Sequence, residues 1–176
     1  FTTRILKNYS IHYFVSFFIS RMNYLTHQLL SSEELEIFRK NLKDEVSLWE
    51  DGKQTAGSHA ANVKNNLQLR RDSDLSKKLS RLITKKILNN ELIKSFALPK
   101  KVHGTIFSKS LEGMGYGRHI DNVYMSSGRA DLSFTIFLSS KNNYVGGALL
   151  IEDFNSEEKF KLNAGEIILY PSTYLH

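Results

Sequence analysis

Apolar residues recur at helical spacing in the first half of the chain and gather into short runs in the second. Leu35, Phe38 and Leu42 fall three or four residues apart and so share one helical face. Ser31 precedes them with Glu34 three residues on, the reciprocal pair of a capping box, which predicts a helix from there to near Glu45. Glu50–Ser58 has turn formers at both ends and reads as a loop. A second helix is expected from about Asp74 to Leu88, with Leu75, Leu79, Leu82 and Ile87 approximating its apolar face and Asn89 and Asn90 stopping it. A short helical stretch, Glu91–Ala97, is closed by Pro99.

After Pro99 the pattern changes. Val102–Phe107, Leu132–Leu138, Ala148–Ile151, Lys159–Leu162 and Glu166–Tyr170 read as strands, most of them separated by glycine-bearing turns. Helices first and short strands afterwards predict an α+β protein with a β-sandwich or jelly-roll sheet system in its C-terminal half.

The length of 176 residues fits one domain. Hydrophobic residues at 41% and charged ones at 24% are ordinary for a globular chain, which argues against disorder, collagen and coiled coil. No internal repeat is visible, so solenoids are excluded. With no cysteine there is no disulfide, thiolate metal site or cysteine nucleophile, and the chain fits a cytoplasmic protein as well as any.

The net charge of +6 raises the question of an anionic partner. Lys77, Lys78, Arg81, Lys85 and Lys86 lie between the apolar positions of the second helix, however, on what is expected to be its solvated side. No aromatic residue interrupts them for base stacking, and no nucleic acid is expected. Ile11–Ile19 is apolar but far shorter than the ~20 residues that span a bilayer, and no cleavage site follows it. Residues 1–21 are therefore expected to be a non-domain extension, with Met22 a candidate start. The first residue is Phe1, and the chain stops at His176 just after a strand-like run, which suggests a C-terminal truncation.

Candidate chemistry centres on histidine. His119 and Asp121 are two residues apart, so on a strand both would point to one side. Alone, H-x-D is a weak signal. His176 follows a predicted strand and a Pro-Ser turn, where it could supply a third ligand from a different strand. Two histidines and a carboxylate make the facial triad of non-haem Fe(II) oxygenases, and they also serve hydrolytic zinc sites. No H-E-x-x-H helix exists, which disfavours a zinc protease. His12, His27, His59 and His103 have no carboxylate at ligand spacing and read as structural. Gly146 and Gly147 read as a tight turn, since no Lys-Ser/Thr follows as a phosphate loop requires. Ser172 sits in no G-x-S-x-G elbow and is expected to stabilise the turn presenting His176. Asp131 either pairs with Arg129 or orders the metal pocket, and Lys64, Asn65 and Asn66 either line a substrate entrance or cap a loop.

Several ordered motifs carry a family resemblance. They are Tyr116-Gly117-Arg118-His119-Ile120-Asp121, Arg129-x-Asp131-Leu132-Ser133-x-Thr135-x-Phe137-Leu138-Ser139, Tyr144-x-Gly146-Gly147, and Ala164-Gly165 followed by Pro171-Ser172 and His176. Upstream stands Ala56-Gly57-x-x-Ala60-x-x-Val63-Lys64-Asn65-Asn66-x-Gln68. Together, from about Met22 to His176, they resemble the PKHD-type hydroxylases, bacterial iron- and 2-oxoglutarate-dependent dioxygenases related to prolyl and lysyl hydroxylases.

The resemblance implies N-terminal helices (22–98) packed on a double-stranded β-helix, or jelly-roll, core (99–176) whose last strands are missing. It implies Fe(II) held by His119, Asp121 and His176, with 2-oxoglutarate as cosubstrate, L-ascorbate, and Tyr116 as the candidate cosubstrate-binding residue. The hydroxylation substrate, peptidyl or small-molecule, is not indicated. The family's arginine for the far carboxylate of 2-oxoglutarate falls beyond His176. No tyrosine stands around Lys109–Ser110, and Ala148 replaces a common Glu. The first departure bears on activity, the others on local detail. The alternatives are a non-catalytic jelly-roll binding module with a basic face, and a zinc hydrolase.

Overall fold

The helices form where apolar periodicity and local caps agree. The structure, a computed structural model, describes residues 24–176 apart from 45, 57, 154 and 155; the predicted extension and Met22 lie outside the described residues. Four α-helices occur among the described residues: α1 (Ser32–Asp44), α2 (Ser58–Ala61), α3 (Asp74–Asn89) and α4 (Glu91–Ala97). The capping box closes as predicted: Ser31 Oγ accepts from Glu34 N at 3.3 Å, and Glu34 Oε2 accepts from Ser31 N at 3.0 Å. Ser73 Oγ caps α3 at Ser76 N. Asn90 ends α3 through its own N–H to Ile87 O and starts α4 through its side chain to Ile93 N. One expectation changes on α3. Leu82 is exposed, and Ile83 takes its place beside Leu79 and Ile87, because 79, 83 and 87 recur every four residues on one face.

Twelve strands follow the chain among the described residues: β1 (Leu25–Gln28), β2 (Trp49–Asp51), β3 (Lys64–Asn65), β4 (Leu67–Leu69), β5 (Ser108–Lys109), β6 (Gly115–Tyr116), β7 (Tyr124–Met125), β8 (Gly128–Arg129), β9 (Leu132–Ile136), β10 (Leu149–Glu152), β11 (Glu157–Phe160) and β12 (Glu166–Pro171). The α+β class is as expected. Most strands are too short to join one sheet, and among the described residues they form small antiparallel sheets rather than a closed barrel. Four strands fall within 22–98, which was expected to be helical. Three of them pair across the expected boundary at 98/99, β1 with β12, β3 with β6 and β4 with β5, because an unpaired edge leaves backbone groups without partners. The loop expected over Glu50–Ser58 instead contains the end of β2 and a 3₁₀ turn. Val102–Phe107 is not a strand: at its end Phe107 O accepts from Leu69 N, and the regular pairing begins only at Ser108.

β12 organises the centre between β1 and β9. Its continuous apolar run arises because both faces are covered. Ile167 and Leu169 pack with Leu79, Ile83 and Ile87 of α3, Ile93 of α4, and Leu35 and Phe38 of α1. Ile168 and Tyr170, on the other face, pack with Phe137, Ile151 and Phe160. Gly165 ties the start of β12 in place: its carbonyl accepts from Leu29 N and Leu30 N, and its N–H donates to Phe137 O. Its φ of +88° and the Leu30 carbonyl 2.8 Å from where a Cβ would stand require glycine. Among the described residues no helix is long and apolar enough to cross a membrane.

Candidate metal centre

A turn after β12 delivers His176 to the loop between β6 and β7, where His119 waits. Ser172 N donates to Asp131 O, Tyr174 N to Pro171 O, and Glu152 N to Leu175 O, so this last segment is pinned at three points. His119 N then donates to His176 O at 2.8 Å, and His176 N donates to His119 O at 2.9 Å. This reciprocal exchange is the hydrogen-bonded pair of an antiparallel ladder, which sets two opposed residues side by side. His119 and Asp121 do not stand on a strand. Both lie in the loop outside the assigned strands, and the backbone exchange with His176 supplies the order that a strand would have given.

The side chains complete the convergence. His119, Asp121 and His176 present ligand atoms within 4.8 Å of one another. Nε2 of His119 lies 3.8 Å from Asp121 Oδ1, and Nε2 of His176 lies 3.7 Å from Asp121 Oδ2. Each imidazole is oriented in the same way. Nδ1 of His119 bonds the Gly117 carbonyl at 2.9 Å, and Nδ1 of His176 bonds the Tyr174 carbonyl at 3.0 Å. A carbonyl only accepts, so Nδ1 carries the proton and Nε2 keeps its lone pair for a metal. Burial pushes the pKa of His119 below its ordinary value, a shift that the nearby His176 reinforces and that the Gly117 carbonyl and Asp121 oppose; the result favours the neutral, ligating form.

Neighbouring residues fix the three groups. Ser133 Oγ on β9 donates to Asp121 Oδ2 at 2.6 Å and lies 2.9 Å from Oγ of the fully buried Ser172. Tyr116 lies flat on His119, ring centroids 3.6 Å apart and planes 18° apart. Tyr170 meets His176 edge-on at 5.0 Å. Burial, more than the nearby Asp121, raises the Tyr170 phenol well above its ordinary value. Arg118 pairs with Glu152 at 3.2 Å and with Glu157, tying the His119 loop to the β10–β11 hairpin. Asp121, Tyr116 and Ser133 line an open groove of about 2420 Å³.

The remaining candidates divide clearly. Ser172 supports the turn before His176, as expected, and also reaches Asp121 through Ser133. Asp131 pairs with Arg129 on the surface. His103 braces the β7–β8 hairpin through Ser127 Oγ and Arg129 O, while His27 sits in β1. His12 and the side chain of His59 lie outside the described residues. Gly146 and Gly147 both have positive φ, as a tight turn requires. Lys64 and Asn66 are buried rather than loop-capping. Reading residues by local pattern missed Ser133 and left Lys64 between two other roles, although both stand inside the quoted motifs. The signal available was the pairing partner of each strand.

The chain thus has a mixed helix-and-strand fold with a His–Asp–His cluster beyond the end of its central strand. The crystal structure of a Pseudomonas putida prolyl-4-hydroxylase has a similar fold, with a TM-score of 0.62 over 88% of this chain and 83% of that one at 13% sequence identity. The chain is 70% identical over 155 residues to a PKHD-type hydroxylase of Prochlorococcus marinus strain MIT 9312 and 68% identical to one from strain MIT 9215. These alignments cover 88% of this chain and 70% of each relative. The chain therefore belongs to the PKHD-type hydroxylase family. No protein-family model matches it.

Proposed function

We propose that this chain carries the iron centre of an Fe(II)- and 2-oxoglutarate-dependent dioxygenase that hydroxylates a substrate entering by the groove. The observation that carries this reading is the donor set: two imidazoles with Nδ1 tied to carbonyls and Nε2 free, facing one hydrogen-bonded carboxylate. Two nitrogens and one oxygen on one side match the facial triad and leave further positions open. The residues present therefore fit the metal.

His119 and His176 would hold it through Nε2 and Asp121 through a carboxylate oxygen. When bound, Fe(II) with 2-oxoglutarate and O2 supplies the oxidation, the keto acid leaving as succinate and CO2, with L-ascorbate as the supporting reductant. Ser133 keeps the Asp121 carboxylate turned toward the two imidazoles. Tyr116 lines the groove, and burial, reinforced by Asp121, raises its pKa, so it stays a neutral donor at pH 7 for a cosubstrate carboxylate. We assign residues 99–176 to a jelly-roll core and 22–98 to the part packed on it, the latter contributing β1 to β4 as well as helices.

The test is an anaerobic titration with Fe(II), with and without 2-oxoglutarate. A weak visible charge-transfer band is expected with both present and should vanish in His119→Ala. Iron affinity unchanged by His119→Ala would sink the reading and favour the binding module. Retention of zinc with indifference to the keto acid would favour the hydrolase.

A further inference from the structure

Lys64 has a burial that a surface lysine does not need. Its residue is only 3% exposed, and its ammonium pairs with no carboxylate among the described residues. Nζ donates instead to Thr55 Oγ1 at 3.0 Å, a hydroxyl shared with Gln68 Oε1. It also lies 4.7 Å from the centre of the Tyr116 ring. Strand pairing makes this contact: Lys64 in β3 stands directly opposite Tyr116 in β6, so the two side chains leave the ladder together. Tyr116 in turn covers His119. Ammonium, phenol ring and imidazole form one column, with the cation held against the negative face of the ring.

We propose that Lys64 is a positioning residue of the metal centre: held by Thr55, its ammonium keeps the Tyr116 ring flat on His119, so that Nε2 stays turned toward Asp121. The inference rests on the metal reading for its purpose, but the column itself can be read without a metal. Burial pushes the Lys64 pKa down, and Asp121 and Asp51 oppose that shift. A buried ammonium is costly, and the column gives its placement a use.

The experiment has two readouts on the full chain. By NMR of the metal-free protein, the His119 ring protons should be shifted upfield by the stacked Tyr116. That shift should fall in Lys64→Gln, which keeps a hydrogen-bonding group but no charge, and disappear in Tyr116→Leu. It should persist in Tyr116→Phe and return in Lys64→Arg. In parallel, Co(II) alone is titrated and followed by its visible spectrum. Affinity should fall about 10-fold in Lys64→Gln, the low end for residues that orient metal ligands, and recover in Lys64→Arg. A wild-type ring shift and wild-type Co(II) affinity in Lys64→Gln would overturn the proposal. A wild-type chain that binds no Co(II) would instead overturn the metal reading, while the ring shift still judges the column. If Lys64→Gln does not fold, Thr55→Val, which frees the ammonium, should reduce the shift by a smaller amount. An unchanged signal there also overturns the proposal.

Discussion

The helical layer and the His–Asp–His cluster are both positioned by β12, and they are held by opposite means. Against the first face of the strand, Leu79, Ile83, Ile87 and Ile93 share their burial with Leu35, Phe38 and Leu69. No one of these contacts sets the position of the rest. Beyond its end, His119, Asp121 and His176 are each aimed by one or two directed bonds: a carbonyl for each imidazole and the Ser133 hydroxyl for the carboxylate. Loss of packing therefore costs stability broadly, whereas loss of one bond at the site costs geometry locally. The division also explains why a loop can hold His119 and Asp121 in place. His119 and His176 order one another through their exchanged backbone bonds and need no long strand beneath them.

Removing a packed side chain from the helical layer is the largest perturbation. Leu79 is fully buried, and Leu79→Ala is expected to lower unfolding stability by about 2–5 kcal/mol, transfer and cavity costs together. The midpoint of urea denaturation should move strongly. Metal affinity measured on the folded fraction should stay as it was, and a parallel loss of affinity would show that the two regions are not separable.

The converse perturbation acts at the site. Ser133→Ala removes the hydroxyl that orients Asp121 and is expected to weaken metal binding about 10–100-fold, as removal of outer partners of metal ligands typically does. The denaturation midpoint should move less than in Leu79→Ala. Calorimetric titration with Co(II) beside a urea curve for each variant gives both numbers. If Ser133→Ala costs more stability than Leu79→Ala while leaving affinity untouched, the hydroxyl is part of the fold and the contrast fails.

A smaller effect is expected at a helix cap, where the helical layer itself depends on a directed bond. Ser73 Oγ satisfies Ser76 N at the start of α3. Ser73→Ala should cost about 1 kcal/mol, in the usual range for a lost N-cap. Hydrogen exchange should rise first in the opening turn of α3, with Leu79 and Ile83 still protected. Uniform loss of protection along the helix would mean that the cap holds more than its own turn.

The same contrast governs what was legible in the sequence. Helices could be read because their causes are local: Ser31 with Glu34, Asn90 between α3 and α4, Pro99 after Ala97. The error at Leu82 has a local cause too, since adjacent positions near the edge of an apolar stripe are hard to separate by spacing. The clustering of His119, Asp121 and His176 was also foreseeable, from H-x-D and a histidine after a strand. What held them was not. Ser133 reaches Asp121 across twelve residues and Ser172 across thirty-nine. Lys64 meets Tyr116 only because two-residue strands pair, and strands so short carry no periodicity to read. A closed jelly roll, expected from the resemblance, is likewise a matter of long-range pairing, which runs of apolar residues suggest without determining.

The smallest expected effect tests the surface of the helical layer. Glu34 joins α1 to α3 through Lys86 at 2.7 Å and accepts from Ser31 N at 3.0 Å. The bond to Lys86, and next the one to Ser31, hold its carboxyl below the ordinary value of 4.5. The unfolded chain therefore binds the proton more readily than the folded one as pH falls through this range. The stabilisation is complete above the ordinary value and is lost as pH drops through the folded one. Because the side chains of Lys86 and Glu34 are 40% and 35% exposed, solvent screening limits the contribution to ~1 kcal/mol or less. Urea midpoints of wild type and Glu34→Gln should differ at pH 7 and converge in acid, and added salt should narrow the neutral-pH gap. A gap that persists unchanged in acid would assign the effect to the neutral capping bond alone. Packing would then hold the helices together without help from charge, and the contrast with the His–Asp–His cluster would be sharper still.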